Sequence, residues 1–346
     1  MGIKQSKTTS NNKLKAKATV KVEKRKKFRS LRSNSNIQII TIDESINEAW
    51  RFTGSGKRIH YAKNSKYNNA VDKEVERLQK QHCFFKRIWQ SNYSTPVEEK
   101  LRAGAKVLDI GCGPGTWTIE MAETYEQSTF TGVDYVPLFS QEMELANVKF
   151  LQANILDGLP FLDDSFDFVR MGLLVTAFNA TELKEKVIPE IVRITKPGGW
   201  IEFMESDIQY FNEGPTTARL TNALSSFMKS KGILESLNSY IPQSLEGNEK
   251  IQKGIQTEEK TCFVGKWAGD LGKMAVEDIA NGWTAIKAPL SKAMKLKSQE
   301  YDELVATFAK EVEQNRSYFK TWRFVAQKIG STTSISDIIT TTTTTS

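Results

Sequence analysis

Apolar positions fall into two textures along this chain. Val71, Val75, Leu78, His82, Phe85 and Trp89 are spaced 4, 3, 4, 3 and 4 apart, one stripe of an amphipathic helix over about 71–90, with Lys, Glu and Arg on the other face. Beyond Pro96, short apolar runs alternate with helical pattern. Strands are predicted at 106–110, 129–134, 147–153, 166–173 and 200–206, with helices at about 116–125 and 181–194 between them, the signature of a parallel α/β sheet. From about 214 to 320 the pattern is mostly helical, including Leu220, Leu224 and Phe227, then Leu304, Phe308 and Val312. Two strand-like runs, Thr261–Val264 and Tyr318–Val325, flank its second half. As an antiparallel edge pair they would complete the sheet, giving one domain with a helical insertion rather than two domains.

The flanks differ. Residues 1–36 are rich in Lys, Ser, Asn and Thr and are expected to be disordered, because they carry too little apolar surface to offset the entropy of ordering. The Thr-rich stretch 331–346 reads as a second disordered tail. The folded body is therefore expected over 37–330, with its core at 105–207 and a helical cap region at about 214–320.

Charge follows the same division. The 346 residues carry 48 Lys and Arg against 41 Asp and Glu, a net +7. Residues 1–36 hold twelve of the bases and one acid, Glu23, which makes the arm +11 and leaves 36 against 40, or −4, for the rest. Three cysteines without paired spacing exclude a disulfide framework or a Cys-rich zinc site, and two histidines argue against a His-based metal centre. The longest uncharged run, Met171–Thr181, is far short of the roughly 20 residues that span a bilayer. No apolar signal core follows the first lysines, so an intracellular, cytoplasmic location is expected.

The chemistry begins at Lys106-Val107-Leu108-Asp109-Ile110-Gly111-Cys112-Gly113-Pro114-Gly115-Thr116-Trp117, a buried strand entering a glycine-rich turn and then a helix. Glycines there let backbone approach a ligand, and a helix start offers free N–H groups and positive dipole. Asp134 ends the second strand, 19 residues past Gly115, where it can accept hydrogen bonds from ribose hydroxyls. The pair implies an adenosine-containing ligand and leaves NAD and S-adenosylmethionine both open.

Two later segments add to this: Leu159-Pro160-Phe161-Leu162-Asp163-Asp164-Ser165-Phe166-Asp167-Phe168-Val169 and Lys196-Pro197-Gly198-Gly199-Trp200. Together the four motifs resemble the class I S-adenosylmethionine-dependent methyltransferases over about 105–207. A narrower similarity is to fungal methyltransferases related to regulators of secondary metabolism. It rests on Tyr67, Asp72, Glu76-Arg77-Leu78 and Gln81-His82, on Ala146–Phe150, and on Gly265-Lys266-Trp267 with Gly269 and Gly272. The chain departs from that group at Ala70, where a proline is usual, near Leu183, where a Trp is frequent, and at Gly172, where an Arg is frequent.

The resemblance implies a Rossmann-like α/β fold. It has a mostly parallel seven-stranded sheet, helices on both faces and a helical insertion before the last strands. It implies S-adenosylmethionine as cofactor, with Asp109 and the backbone of Gly111, Cys112, Gly113 and Gly115 toward the methionine end. Asp134, with Tyr135 beside it, would hold the ribose. Asn154 and Ile155 would meet the adenine, with Asp157 as fallback, and Met171 and Gly172 would lie near the transferable methyl. The acceptor is expected to be a small molecule or a protein. Met171-Gly172-Leu173-Leu174 replaces the [DN]PP[YF] of amino-adenine and glutamine methylation, and no Pro-Cys dipeptide exists for a covalent cysteine route.

A general base is harder to name. Glu205 and Asp207, at the end of the fifth strand, are candidates against the alternative of a solvated acidic loop. Tyr67, also a catalytic candidate, and His60 precede the first helix and are candidates to cap the pocket. His82, on an apolar stripe, reads as a packed core residue. An S-adenosylmethionine-binding regulator or scaffold with little turnover is the alternative to an active enzyme.

The arm concerns address. Met1-Gly2-Ile3-Lys4-Gln5-Ser6 matches the myristoylation signal at Gly2, and the polybasic stretch behind it supplies a second attraction to an anionic membrane surface. A nuclear-localisation or nucleic-acid role for Lys24-Arg25-Lys26-Lys27 ranks below it.

Overall fold

β1 (Lys106–Ile110) is a buried run of alternating facing, and it pairs in parallel with both β2 (Thr129–Asp134) and β4 (Phe166–Gly172). β3 (Val148–Gln152) adds outside β2, and β5 (Thr195–Ser206) outside β4. β7 (Tyr318–Gln327) lies antiparallel between β5 and β6 (Gln256–Phe263), so the sheet order is β3-β2-β1-β4-β5-β7-β6. This is the sheet of the class I methyltransferase fold. The computed structural model describes residues 69–139, 145–174, 176–234 and 236–330; the arm over 1–36, His60, Tyr67 and the tail over 331–346 lie outside the described residues.

Nine helices, besides the single 3₁₀ turns Ile155–Asp157 and Lys266–Ala268, flank the sheet among the described residues. They are α1 (Asn69–Trp89), α2 (Glu98–Ala103), α3 (Thr116–Thr124) and a composite α4, then α5 (Pro215–Ser230), α6 (Tyr240–Glu246), α7 (Gly269–Ala285), α8 (Lys287–Ala293) and α9 (Ser298–Asn315). α4 starts at Ala180–Glu182 behind an Asn179/Glu182 capping box, passes through a π-helical stretch Leu183–Val187 and continues as Ile188–Ile194. The wider turn precedes Pro189, which has no N–H to donate back into the ladder.

Because side chains alternate across a strand, the two faces of the sheet bury different partners. Leu108, Ile110, Val169, Met171, Ile201 and Phe203 pack against α4 and α6. On the other face, Val107, Phe130 and Phe168 pack against α2 and α3 through Leu101, Trp117 and Met121. The remainder of that side carries a separate cap core, in which Phe84 and Ile88 of α1 meet residues of α5, α7 and α9, such as Leu224, Trp283 and Phe308.

Three expectations change. β5 begins at Thr195 rather than 200: the Lys196-Pro197-Gly198-Gly199 segment is its irregular first part, with a register shift opposite Phe166/Phe168 and Gly198 at φ +71°. β6 begins five residues before Thr261 and is the sheet edge, while β7 is interior. The helical insertion is in two blocks, α5–α6 before β6 and α7–α9 between β6 and β7. The Gly265/Gly272 motif is explained by packing. Gly265 N donates to Gly272 O at 3.1 Å, and a Cβ on Gly272 would stand 2.1 Å from Gly265 O.

Candidate functional site

The carboxyl ends of β1, β2 and β4 open into a cavity of about 550 Å³, the position where ligands bind in open α/β sheets. Its floor is the turn between β1 and α3. Gly111, Gly113 and Gly115 all have positive φ (+71°, +54° and +83°), which side chains disfavour. The turn is fastened to β2, because Gly111 N and Cys112 N both donate to Val133 O, at 2.8 and 3.1 Å. Gly115 is required by a close approach: a Cβ there would stand 2.3 Å from Phe150 Cζ. Gly111, Cys112 and Gly113 line the cavity, whereas Gly115 is not among the lining residues.

Asp134 closes the turn from the other side. Its carboxylate accepts Gly113 N and Val136 N, each at 2.8 Å. Burial raises its pKa to about 6 against the stabilising backbone amides of Val136, Gly113 and Tyr135. The carboxylate also lines the cavity. Tyr135, Asn154 and Ile155 line the same part of the cavity, and Asn154 caps the short turn Ile155–Asp157 by accepting Leu156 N at 3.1 Å. Asp157 is not among the lining residues.

Further in, Asp109 also lines the cavity, but both its oxygens are engaged: Oδ1 accepts Arg170 Nη1 and Oδ2 accepts Thr118 Oγ1, each at 2.9 Å. The Arg170 guanidinium lies over the Trp117 ring, 4.7 Å from its centroid. The expectation for Met171 does not match its position. It is buried in the α4-side core, whereas Gly172, expected beside it, does line the cavity, as does its other strand neighbour Arg170. Arg170 was legible in principle, since it sits beside Asp109 in the parallel register and so faces the same side.

The base candidates separate as well. Glu205 is buried and does not itself line the cavity, but its Oε1 accepts the N–H of the lining residue Leu174 at 3.0 Å, which holds the loop after β4. Asp207 is also outside the lining, with its pKa raised by burial and Oδ1 accepting Gln209 N at 3.3 Å. Tyr67 and Gly2 lie outside the described residues.

α1 forms the opposite wall through Glu74, Arg77, Leu78, Gln81, His82, Phe85 and Lys86. His82 is therefore a cavity residue, not a core residue. Its Nε2 lies 2.7 Å from Glu120 Oε2, and Lys86 pairs with the other oxygen of the same carboxylate. Burial, followed by the positive charge of Arg170, pushes the ring's pKa down to about 4, with Asp109 opposing and Lys86 assisting.

Behind Arg170 runs a row of alternating charge that sequence reading did not find. Glu202 of β5 pairs with Arg170 in the strand register, and Arg323 of β7 follows at 3.7 Å from Glu202. Glu202 Oε2 accepts Ser94 N, Thr95 N and Thr95 Oγ1, while Arg323 donates to Ser91 O and Ser91 Oγ. These two residues clamp the segment joining α1 to α2, and Ser91 and Asn92 of that segment line the cavity.

The residues present suit a cationic adenosine derivative: an acid lining the cavity beside a glycine turn, an Asn further out, and a balanced Asp–Arg pair inward. Among the described residues, no group of three or more His, Cys, Asp or Glu could hold a metal ion. No described helix is long and apolar enough to cross a membrane.

Sheet order, glycine turn and cavity position define a Rossmann-like methyltransferase of the class that uses S-adenosylmethionine. A family model described as "Methyltransferase domain" matches residues 101–332, so the chain belongs to that family. Among curated proteins, methyltransferase str3 of Strobilurus tenacellus is 31% identical over 144 residues, 42% of this chain and 50% of that protein. The secondary metabolism regulator LAE1 of Cochliobolus heterostrophus is 27% identical over 159 residues, 45% of this chain and 50% of that protein. The chain thus spans about half the length of the curated relatives it matches. Among solved structures, Haemonchus contortus phosphoethanolamine N-methyltransferase 2 in complex with S-adenosyl-L-methionine matches at TM-score 0.43 and 16% identity, covering 78% of this chain and 61% of that one.

Proposed function

We propose that this chain is an S-adenosylmethionine-dependent methyltransferase acting on a small-molecule or protein acceptor. The observation that carries the reading is Asp134, held by the glycine turn through Gly113 N at the edge of the cavity. In this reading Asp134, beside Tyr135, takes the ribose hydroxyls. Asn154 and Ile155 meet the adenine. Gly111, Cys112 and Gly113 bring the backbone close to the methionine end, and Asp109 acts there jointly with Arg170. The bound cofactor supplies an electrophilic methyl group on a sulfonium. The protein supplies alignment, which is worth roughly 7–11 kcal/mol when geometry is held, and exclusion of water. α1 and the loop after β4, which Glu205 fixes, form the walls that do both.

Calorimetry with S-adenosylmethionine and S-adenosylhomocysteine tests this. Binding is expected for both, with a loss of at least tenfold in Asp134→Ala. Absence of binding, or binding indifferent to that substitution, overturns the reading. A labelled-methyl screen against cell extract then separates an enzyme from a binding-only regulator, a reading that the drift at Ala70 and Gly172 motivates less strongly than the intact cofactor side motivates catalysis.

The location is a separate proposal resting on sequence: Gly2 is myristoylated and, with the basic arm, brings the chain to anionic membrane. Intact mass after co-expression with an N-myristoyltransferase tests it, and an unmodified Gly2 sinks it.

A further inference from the structure

The Nε2 of His82 faces a carboxylate, Glu120, which can only accept when ionised, so the ring hydrogen belongs on Nε2. That leaves Nδ1 as a bare lone pair. It has no hydrogen-bond partner among the described residues, and the ring that carries it lines the cavity. Glu120 is itself held by Lys86 from α1. A base whose far nitrogen is oriented by a buttressed carboxylate is the arrangement that makes a histidine take protons in acyl-transfer enzymes.

We propose that His82, oriented by Glu120, is the proton acceptor for an oxygen nucleophile in this cavity: a hydroxyl, phenol or enol. The inference rests on the methyltransferase reading above and narrows its acceptor class. In the step, a lone pair of the acceptor oxygen forms the new O–CH3 bond as the S–CH3 bond breaks. Sulfur keeps the electron pair of the broken bond. The hydroxyl proton passes to Nδ1, leaving an imidazolium hydrogen-bonded to Glu120.

Four charged groups face the ring: Glu120 from α3, Lys86 from α1, Arg170 from β4 and Asp109 from β1. The cations and burial keep it neutral at physiological pH, so its lone pair is always available. An oxygen acceptor is the class that needs this base. A positively charged oxygen bearing a new methyl is a far stronger acid than imidazolium, so the transfer runs downhill, whereas an amine attacks through its own neutral lone pair and its methylated ammonium, with a pKa of about 10, keeps its proton without a base.

Full-length protein labelled with 15N-histidine tests the tautomer, because only two histidines are present and the signal lost in His82→Asn identifies this one. With S-adenosylhomocysteine bound at pH 7, a neutral ring protonated at Nε2 is expected, and Glu120→Gln should mix the tautomers. A hydrogen on Nδ1, a protonated ring, or a tautomer indifferent to Glu120→Gln overturns the proposal. A second arm offers S-adenosylmethionine with labelled methyl to a panel of phenols and a panel of alkylamines. Transfer to phenols that falls about 10²-fold or more in His82→Gln, with S-adenosylhomocysteine affinity retained, supports it. Transfer confined to amines overturns it. Transfer to neither panel counts against the methyltransferase reading, and the tautomer measurement then decides on His82 by itself.

Discussion

At the scale of single residues, Asp134 links ligand binding to pH. Its pKa is raised to about 6, so the folded protein binds that proton more tightly than the unfolded chain, whose aspartates titrate near 4. The sign follows. The group's contribution to stability is present below about pH 4 and is lost as pH rises through about 6. A ribose hydroxyl is held more strongly by the ionised carboxylate than by the neutral acid, so ligand binding behaves oppositely. Affinity for S-adenosylhomocysteine, measured by calorimetry, is expected to weaken as pH falls below about 6, and Asp134→Asn is expected to bind weakly with that dependence removed. Buried Asp278, whose pKa burial also raises to about 6, adds to the stability trend and not to the affinity trend, since it is not a cavity residue.

Residue-scale reading from sequence succeeded where backbone alone dictates the answer. The turn from Gly111 to Gly115 and the acid at Asp134 were legible because each glycine or acid there has a local reason to exist. His82 was misread because spacing of 4, 3 and 4 marks a face of α1 without saying whether that face meets a core or a cavity. The family resemblance points to Met171 and Gly172 by motif position, which does not register strand alternation, and alternation sends Met171 to the face opposite Arg170 and Gly172.

Among the elements, the segment between α1 and α2 depends on a pair of buried charges from distant strands. Removing one partner of a buried pair leaves the other uncompensated, which costs about 3–5 kcal/mol. Glu202→Ala is therefore expected to lower the unfolding free energy, read from urea denaturation, by an amount in that range. It should also weaken S-adenosylhomocysteine binding through the displaced Ser91 and Asn92. Gly272→Ala acts at a different junction: the added methyl meets Gly265 O and is expected to cost about 1–3 kcal/mol, read by thermal unfolding, with ligand affinity unchanged. β6 shows why an element can be unreadable. Residues 256–261 are exposed in a strand at the sheet edge, so no apolar alternation announced it before Cys262. The Glu202–Arg323 clamp was equally hidden, because nothing local to either residue names the other.

For the molecule as a whole, the cap and the sheet share β7, which leaves the cap's last helix and enters the sheet's interior between β5 and β6. Amide hydrogen exchange is accordingly expected to protect β7 as strongly as β1 and β4, with no separate early opening of the cap helices α7–α9. Exchange of α9 and β7 at markedly different rates would contradict that coupling.

The same position of β7 sets the order of events during synthesis. The open flank of β5 is covered only when residues 318–327 have been made, some 120 residues after β5 ends, and β6 has no neighbour until then. At about 5–20 residues per second, a ribosome takes on the order of ten seconds to cross that interval. A half-built sheet therefore waits with an unsatisfied row of backbone donors and acceptors on its growing side. The nascent chain is most open to misassociation, and most in need of a holding chaperone, in this window.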